Sequence, residues 1–191
     1  MADEVFLRKD RGGNKVRLVG SRQEDVTEEK RHTVKVSPYG RVVDCPSAPV
    51  VIAGIDTGNA YTANDSVGLL TRVKVPPSGI IYSATLWDLD YDGFQIDLMI
   101  FKDKVAQVAD DAAWAPTDLS ILSFVTALAM VPATDHSASK TAELTNIGKA
   151  YTAPSGEFWI QAVARGASNI AAGSEPRFQL QIMPDDPNWE A

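Results

Sequence analysis

Cysteine is nearly absent from this chain. Cys45 is the only one among 191 residues, so no intrachain disulfide can form, and a chain made in a reducing compartment needs none. Histidine is almost as scarce. His32 and His136 are the only two, so the four nitrogen or sulfur ligands of a structural zinc site cannot be assembled, and a cysteine nucleophile would have few bases to draw on. Cys45 therefore reads as an inert thiol. No apolar run approaches the roughly 18 residues of a membrane-spanning helix, and the charged start "MADEVFLRKDRGGNK" lacks the apolar core of a signal peptide. Positive charge is also in deficit. Eighteen Lys and Arg face 25 Asp and Glu, a formal net charge of −7, which argues against bulk nucleic-acid binding. No phosphate-binding glycine motif and no G-x-S-x-G elbow is present.

What charge there is divides unevenly. Residues 1–37 hold nine Lys and Arg against seven Asp and Glu, whereas the remainder holds nine against eighteen. The front is basic and highly charged; the rest is acidic and more apolar. Within the front, "EVFLRK" and "KVRLVG" alternate about "DRGGN", which predicts a small hairpin. "SRQEDVTEEKRHT" has nothing to bury and reads as a solvated connector. Pro38, Pro46 and Pro49 then predict extended or irregular chain. Residues 1–57 are thus expected to form an arm, with Arg8, Lys9, Arg11, Lys15 and Arg17 as its candidate partner contacts.

From residue 58 to 184 the pattern is short runs of period two. Leu69, Thr71, Val73 and Val75 share a face, as do Phe94, Ile96, Leu98 and Ile100. So do Phe158, Ile160, Ala162 and Ala164, and Phe178, Leu180 and Ile182. Strict alternation marks strands with one buried and one wet face. Thr117 or Asp118 after Pro116 predicts one short helical turn running into a strand at 125–131, and 141–152 reads as a further strand. The expected fold is all-β, an antiparallel β-sandwich or jelly-roll-like domain with one short helix. Residues 185–191 form a C-terminal tail.

The stretch "WDLDYDGFQIDLMIF" (87–101) carries the sharpest question. Asp88, Asp90 and Asp92 at alternate positions, followed by Gly93, open as an EF-hand calcium loop opens. The twelfth position, which should be a bidentate Glu, is Met99, and the flanks alternate as strands rather than helices. Asp92-Gly93 between alternating runs instead predicts a hairpin turn. If a divalent ion bound here, Asp88, Asp90 and Asp92 would be its ligands; otherwise neither metal nor cofactor is expected. Asp135, His136 and Ser137 are adjacent, which is the wrong geometry for a catalytic relay. No pair of carboxylates is singled out for hydrolysis, and an enzyme is not expected. Trp87, Trp114, Trp159 and Trp189 fit packing or a subunit interface, with sugar stacking as the alternative.

The succession "AYTANDSVG", "GIIYSATLWDLDYDGFQIDLMIF", "VADDAAWAPTDLSIL" and "YTAPSGEFWIQAVARGAS" resembles the head decoration, or capsid cement, proteins of tailed bacteriophages. The likeness covers roughly 58–183 and lies in the order of segments rather than in one motif. It implies a β domain made in the host cytoplasm that assembles, commonly as a homotrimer, on the major capsid protein at the virion surface and stiffens the head. It implies no active site; neither nucleic acid nor a membrane is expected as a partner. A tail, baseplate or head-fibre module is the near alternative; a carbohydrate-binding module for host attachment is the more distant one.

Overall fold

The computed structural model describes the backbone of residues 7–9 and 15–17, together with residues 41–58, 60–90, 93–167, 169–186 and 188–190. The chain divides into two compact units, Met1–Pro38 and Tyr39–Ala191. In the first, β1 (Leu7–Lys9) and β2 (Lys15–Arg17) pair antiparallel; the chain between them lies outside the described residues.

The second unit is an all-β sandwich of two antiparallel sheets. In chain order its elements are β3 (Val43–Val51), β4 (Ser66–Lys74), β5 (Ser78–Asp88), β6 (Ile96–Phe101), α1 (Asp118–Ile121), β7 (Phe124–Met130), β8 (Thr134–Asp135), β9 (Lys140–Leu144), β10 (Lys149–Thr152), β11 (Glu157–Ala164) and β12 (Arg177–Pro184). One sheet runs β3-β12-β5-β9-β8, with β10 also paired to β5; the other runs β4-β11-β6-β7.

The alternation written in the sequence is what closes the sandwich. Phe178, Leu180 and Ile182 of β12 are buried, as are Phe158, Ile160, Ala162 and Ala164 of β11 and Ile96, Leu98 and Ile100 of β6. They meet in a single apolar core. Each Phe, Leu or Ile among them contributes roughly 1.5–3 kcal/mol on leaving water, and each Ala less. Val73 and Val75 also point inward, but Leu69 does not, and it is 37% exposed. Gly68 adopts φ +64, and the ladder with β11 slips between Ile160 and Ala162. This irregularity turns Leu69 out over Gly54, where an added Cβ would lie 2.4 Å from the Leu69 Cγ.

Three sequence expectations are corrected. The boundary between arm and domain falls after Pro38 rather than at 57, because β3 pairs with β12 and buries Val43 and Cys45 in the core. Its prolines are accommodated where the pairing breaks between Cys45 and Val50, and the Gln179 Nε2 donates to the Pro46 carbonyl there at 2.9 Å. Second, the strands flanking Asp92-Gly93 are not a hairpin pair: β5 and β6 lie in different sheets, so the chain crosses from one layer to the other between Asp88 and Ile96, with Asp92 itself outside the described residues. Alternating flanks around a glycine fit either geometry, and only the sheet partners decide. Third, the strand expected over 141–152 is broken into β9 and β10, with Asn146 at φ +56 and Gly148 at φ +66 between them.

The outer face of the four-stranded sheet is not bare. Residues 102–123 fold across it: Trp114 meets Phe101 edge-on at 6.1 Å, and Asp65 bridges to Ala113. Phe101, Val105 and Val163 are buried on this side. The segment ends in α1, where the Thr117 hydroxyl caps the Ser120 amide as the sequence predicts.

Candidate functional site

The aspartate corner comes first. Asp88 closes β5 and is buried, at 4% exposed. Its carboxylate accepts the Gly93 amide at 2.7 Å and the Asp90 amide at 3.1 Å. Lys140 stands opposite it across the β5–β9 ladder, a cross-strand pair of opposite charge. The Asp90 carboxylate accepts the Ala171 amide at 2.6 Å, tying the corner to the loop before β12. Asp92 lies outside the described residues. The carboxylates of Asp88 and Asp90 thus serve backbone amides, and no group of three metal-ligating side chains occurs among the described residues.

A second aspartate cluster, not singled out in the sequence, is the more extensive knot. Asp110 accepts the Tyr61 hydroxyl, the Asp56 amide and the Gly68 amide, binding three segments of the loop and strand before it. Burial and then the Asp110 hydrogen bond push the Tyr61 hydroxyl well above its ordinary pKa. Asp65 accepts the amide and hydroxyl of Thr62 at 2.6 and 2.7 Å. Partial burial and then the neighbouring carboxylates of Asp65, Asp110 and Asp56 hold the Asp111 carboxyl above its usual range. The adjacent "DD" was the only signal in the sequence, and adjacency alone does not say which distant amides a carboxylate will meet.

Among the described residues, Cys45 is enclosed by burial and His136 has a local partner. Cys45 is fully buried, and burial, followed by the Asp44 charge, pushes its thiol up to about 12. A thiol so protonated is a poor nucleophile. The His136 ring meets the Thr141 hydroxyl at 3.0 Å, while Asp135 accepts the Ser137 amide at 2.7 Å, so the adjacent trio makes a turn rather than a relay. His32 lies outside the described residues.

The four tryptophans are all half-buried. Trp159 lies under the Lys104 ammonium, 5.2 Å from its ring centroid, and Trp189 under that of Lys74 at 5.6 Å. The carbonyl of Trp189 accepts from Arg41, so the C-terminal tail is pinned near the start of the domain. A shallow concavity of 530 Å³ opens there between Arg72, Lys74, Pro77 and Trp189.

The basic candidates divide. Arg8 and Lys9 lie on β1, and Lys15 and Arg17 on β2; the register sets Lys9 opposite Lys15 and Arg8 opposite Val16. Arg11 lies outside the described residues. In the sandwich the most exposed large apolar side chains gather at α1 and the two ends of β7. Leu119 is 78% exposed, Leu122 76%, and Ile121 and Val131 about half, while α1 buries none of its residues. The sequence had marked this stretch only as a short helical turn running into a strand.

Set against family models, curated proteins and solved structures, the chain matches none of them.

Proposed function

We propose that this protein is a virion structural component, a decoration or cement protein that binds the outer capsid surface of a tailed bacteriophage and stabilises the head. The order of segments that resembles such proteins motivates the reading, and one observation carries it. The carboxylates of Asp88, Asp90, Asp65 and Asp110 accept the domain's own amides and hydroxyls, while its most exposed large apolar side chains lie at α1 and the two ends of β7. Such a domain is rigid within and adhesive without, which suits binding and not turnover. The separate basic hairpin supplies a second contact. Its charge is opposite to that of the sandwich, so it can reach a surface that the acidic domain would not approach closely by itself. Two contacts on one chain gain from effective concentration, and many copies on a lattice reinforce the head together.

The partner in this reading is the major capsid protein, with Arg8, Lys9, Arg11, Lys15 and Arg17 on the arm side of the contact. A carbohydrate-binding role asks for open aromatic platforms, and the half-burial of all four tryptophans gives it less support.

The test mixes purified full-length chain with expanded empty heads, followed by co-sedimentation and thermal disruption of the heads. Saturable binding and a higher disruption temperature are expected. A variant with the five basic residues changed to Gln should bind at least tenfold more weakly. Heads that neither bind the chain nor gain stability overturn the reading. Unchanged binding by the Gln variant removes the arm from it.

A further inference from the structure

The sandwich has several strand edges, and all but one are blunted. In the six-stranded sheet, β3 carries Pro46 and Pro49 and a break in its pairing, β8 has two residues, and β10 has four and begins with Lys149. In the other sheet, β4 exposes Arg72 and Lys74, and its Leu69 amide is already taken by the Ala53 carbonyl. These are the devices by which sheets avoid pairing with strangers. β7 has none of them over most of its length. It pairs only with β6 among the described residues, slips once near Phe124, and then runs regularly from Thr126 to Met130. It contains neither proline nor charge. Residues 119–134, which include it, form the longest uncharged run in a chain of net charge −7.

We propose that two copies of this chain pair antiparallel along the open edge of β7 and join their four-stranded sheets into one. The unpaired amides and carbonyls of an edge call for an extended strand as occupant. Charge selects a second copy. Most approaches between two such acidic domains oppose carboxylates, and here nothing charged is opposed.

The distribution of apolar side chains agrees. In a two-fold pairing about Ala127, which is exposed, the regular stretch Thr126–Met130 of each copy runs along the other, and the Val131 end of one copy is brought toward the partner's α1 end, which carries the exposed Leu119 and Leu122. The exposed groups at the two ends of β7 thereby cover one another, as an isologous contact requires. A three-fold ring through this sheet would instead need β7 to meet β4, whose edge is charged and partly occupied. The proposal departs there from the trimer implied by the family resemblance, and it does not depend on the capsid reading.

The experiment measures the solution mass of the full-length chain by light scattering at about 100 μM, a concentration that populates any dimer with a tighter dissociation constant. A two-chain mass is expected. Ala127→Lys places two ammonium groups face to face at the centre of the contact and should weaken association ~100-fold or more, giving a one-chain mass with an unchanged circular-dichroism spectrum. Ala127→Cys should form an inter-chain disulfide on mild oxidation of the native protein, where Cys45 is buried. A one-chain or three-chain mass for the unaltered protein overturns the proposal. So does a two-chain mass that Ala127→Lys leaves intact, or an Ala127→Cys variant that stays uncrosslinked. Head binding is not read in these measurements, so the capsid reading stands or falls separately.

Discussion

The hydroxyl of Tyr61 donates to Asp110, lying 2.8 and 2.9 Å from its two carboxylate oxygens, across a sequence separation of 49. Tyr61 is 1% exposed, so its hydroxyl has little water to turn to. The same carboxylate accepts the Asp56 and Gly68 amides. Asp110→Ala strands all three donors at once and should destabilise the domain by roughly 3 kcal/mol, whereas Tyr61→Phe removes one neutral partner and should cost about 1 kcal/mol. Urea unfolding of the two variants and their double mutant checks this. The Tyr61→Phe cost should nearly vanish in the Asp110→Ala background. Equal costs in both backgrounds would show that the pair does not act together.

Asp111 sits beside that knot with the opposite consequence. Partial burial and the carboxylates of Asp65, Asp110 and Asp56 hold its carboxyl above the ordinary value of 3.8. The folded state therefore binds this proton more tightly than the unfolded state does. Within the window just above 3.8, the group's contribution to stability falls as pH rises, and at neutral pH its charge opposes the fold. Asp111→Asn should raise the thermal midpoint at pH 7. Its backbone is at φ +58, which Asn also tolerates, so any backbone gain would persist at low pH. The charge contribution is the part that fades as pH drops toward 4. A gain identical at both pH values would assign it wholly to the backbone.

The alternation of Phe178, Leu180 and Ile182 was legible in the sequence because one buried face requires it, and the Thr117 cap because a hydroxyl before a short apolar run has a local job. β3 was misassigned to the arm since its prolines argue against a ladder, and only its position at a sheet edge, with the pairing interrupted, makes them tolerable. The corner at Asp88–Gly93 was unreadable for a different reason. A turn's local chemistry is the same whether the next strand returns to the same sheet or crosses to the other. Asp110 was missed because its partners, two backbone amides and the Tyr61 hydroxyl, lie 42, 54 and 49 positions away, and no local pattern links them to it.

Cys45 gives a readout of global unfolding. Its thiol is pushed up to about 12 by burial and then by Asp44, against 9.0 for the exposed group. In native protein at pH 8 it should fail to react with a disulfide reagent, and it should react fully in urea. Because the unfolded thiol ionises near 9 while the folded one does not, the unfolded state binds fewer protons above that pH. Stability from this group is then lost progressively as pH rises from 9 toward 12. Rapid labelling of folded protein at pH 8 would contradict the burial on which this rests.

Gly68 is the most constrained turning point in the sandwich. Its φ of +64 is a left-handed conformation that a side chain disfavours, and an added Cβ would lie 2.5 Å from the Ala53 carbonyl oxygen, which is backbone and cannot swing aside. The Gly68 amide also donates to Asp110, and the neighbouring Leu69 amide to Ala53. Gly68→Ala therefore has to displace the chain at the point where β4 meets both the Asp110 knot and the 52–55 segment. A loss of about 2–4 kcal/mol is expected, combining backbone strain of roughly 1–3 kcal/mol with a weakened hydrogen bond. Gly173→Ala is the control: its φ is +83, but nothing lies within 4 Å of the added Cβ, so it should lose only the conformational part. If the two substitutions cost the same in urea unfolding, the close approach to Ala53 contributes nothing and strain at φ is the whole effect.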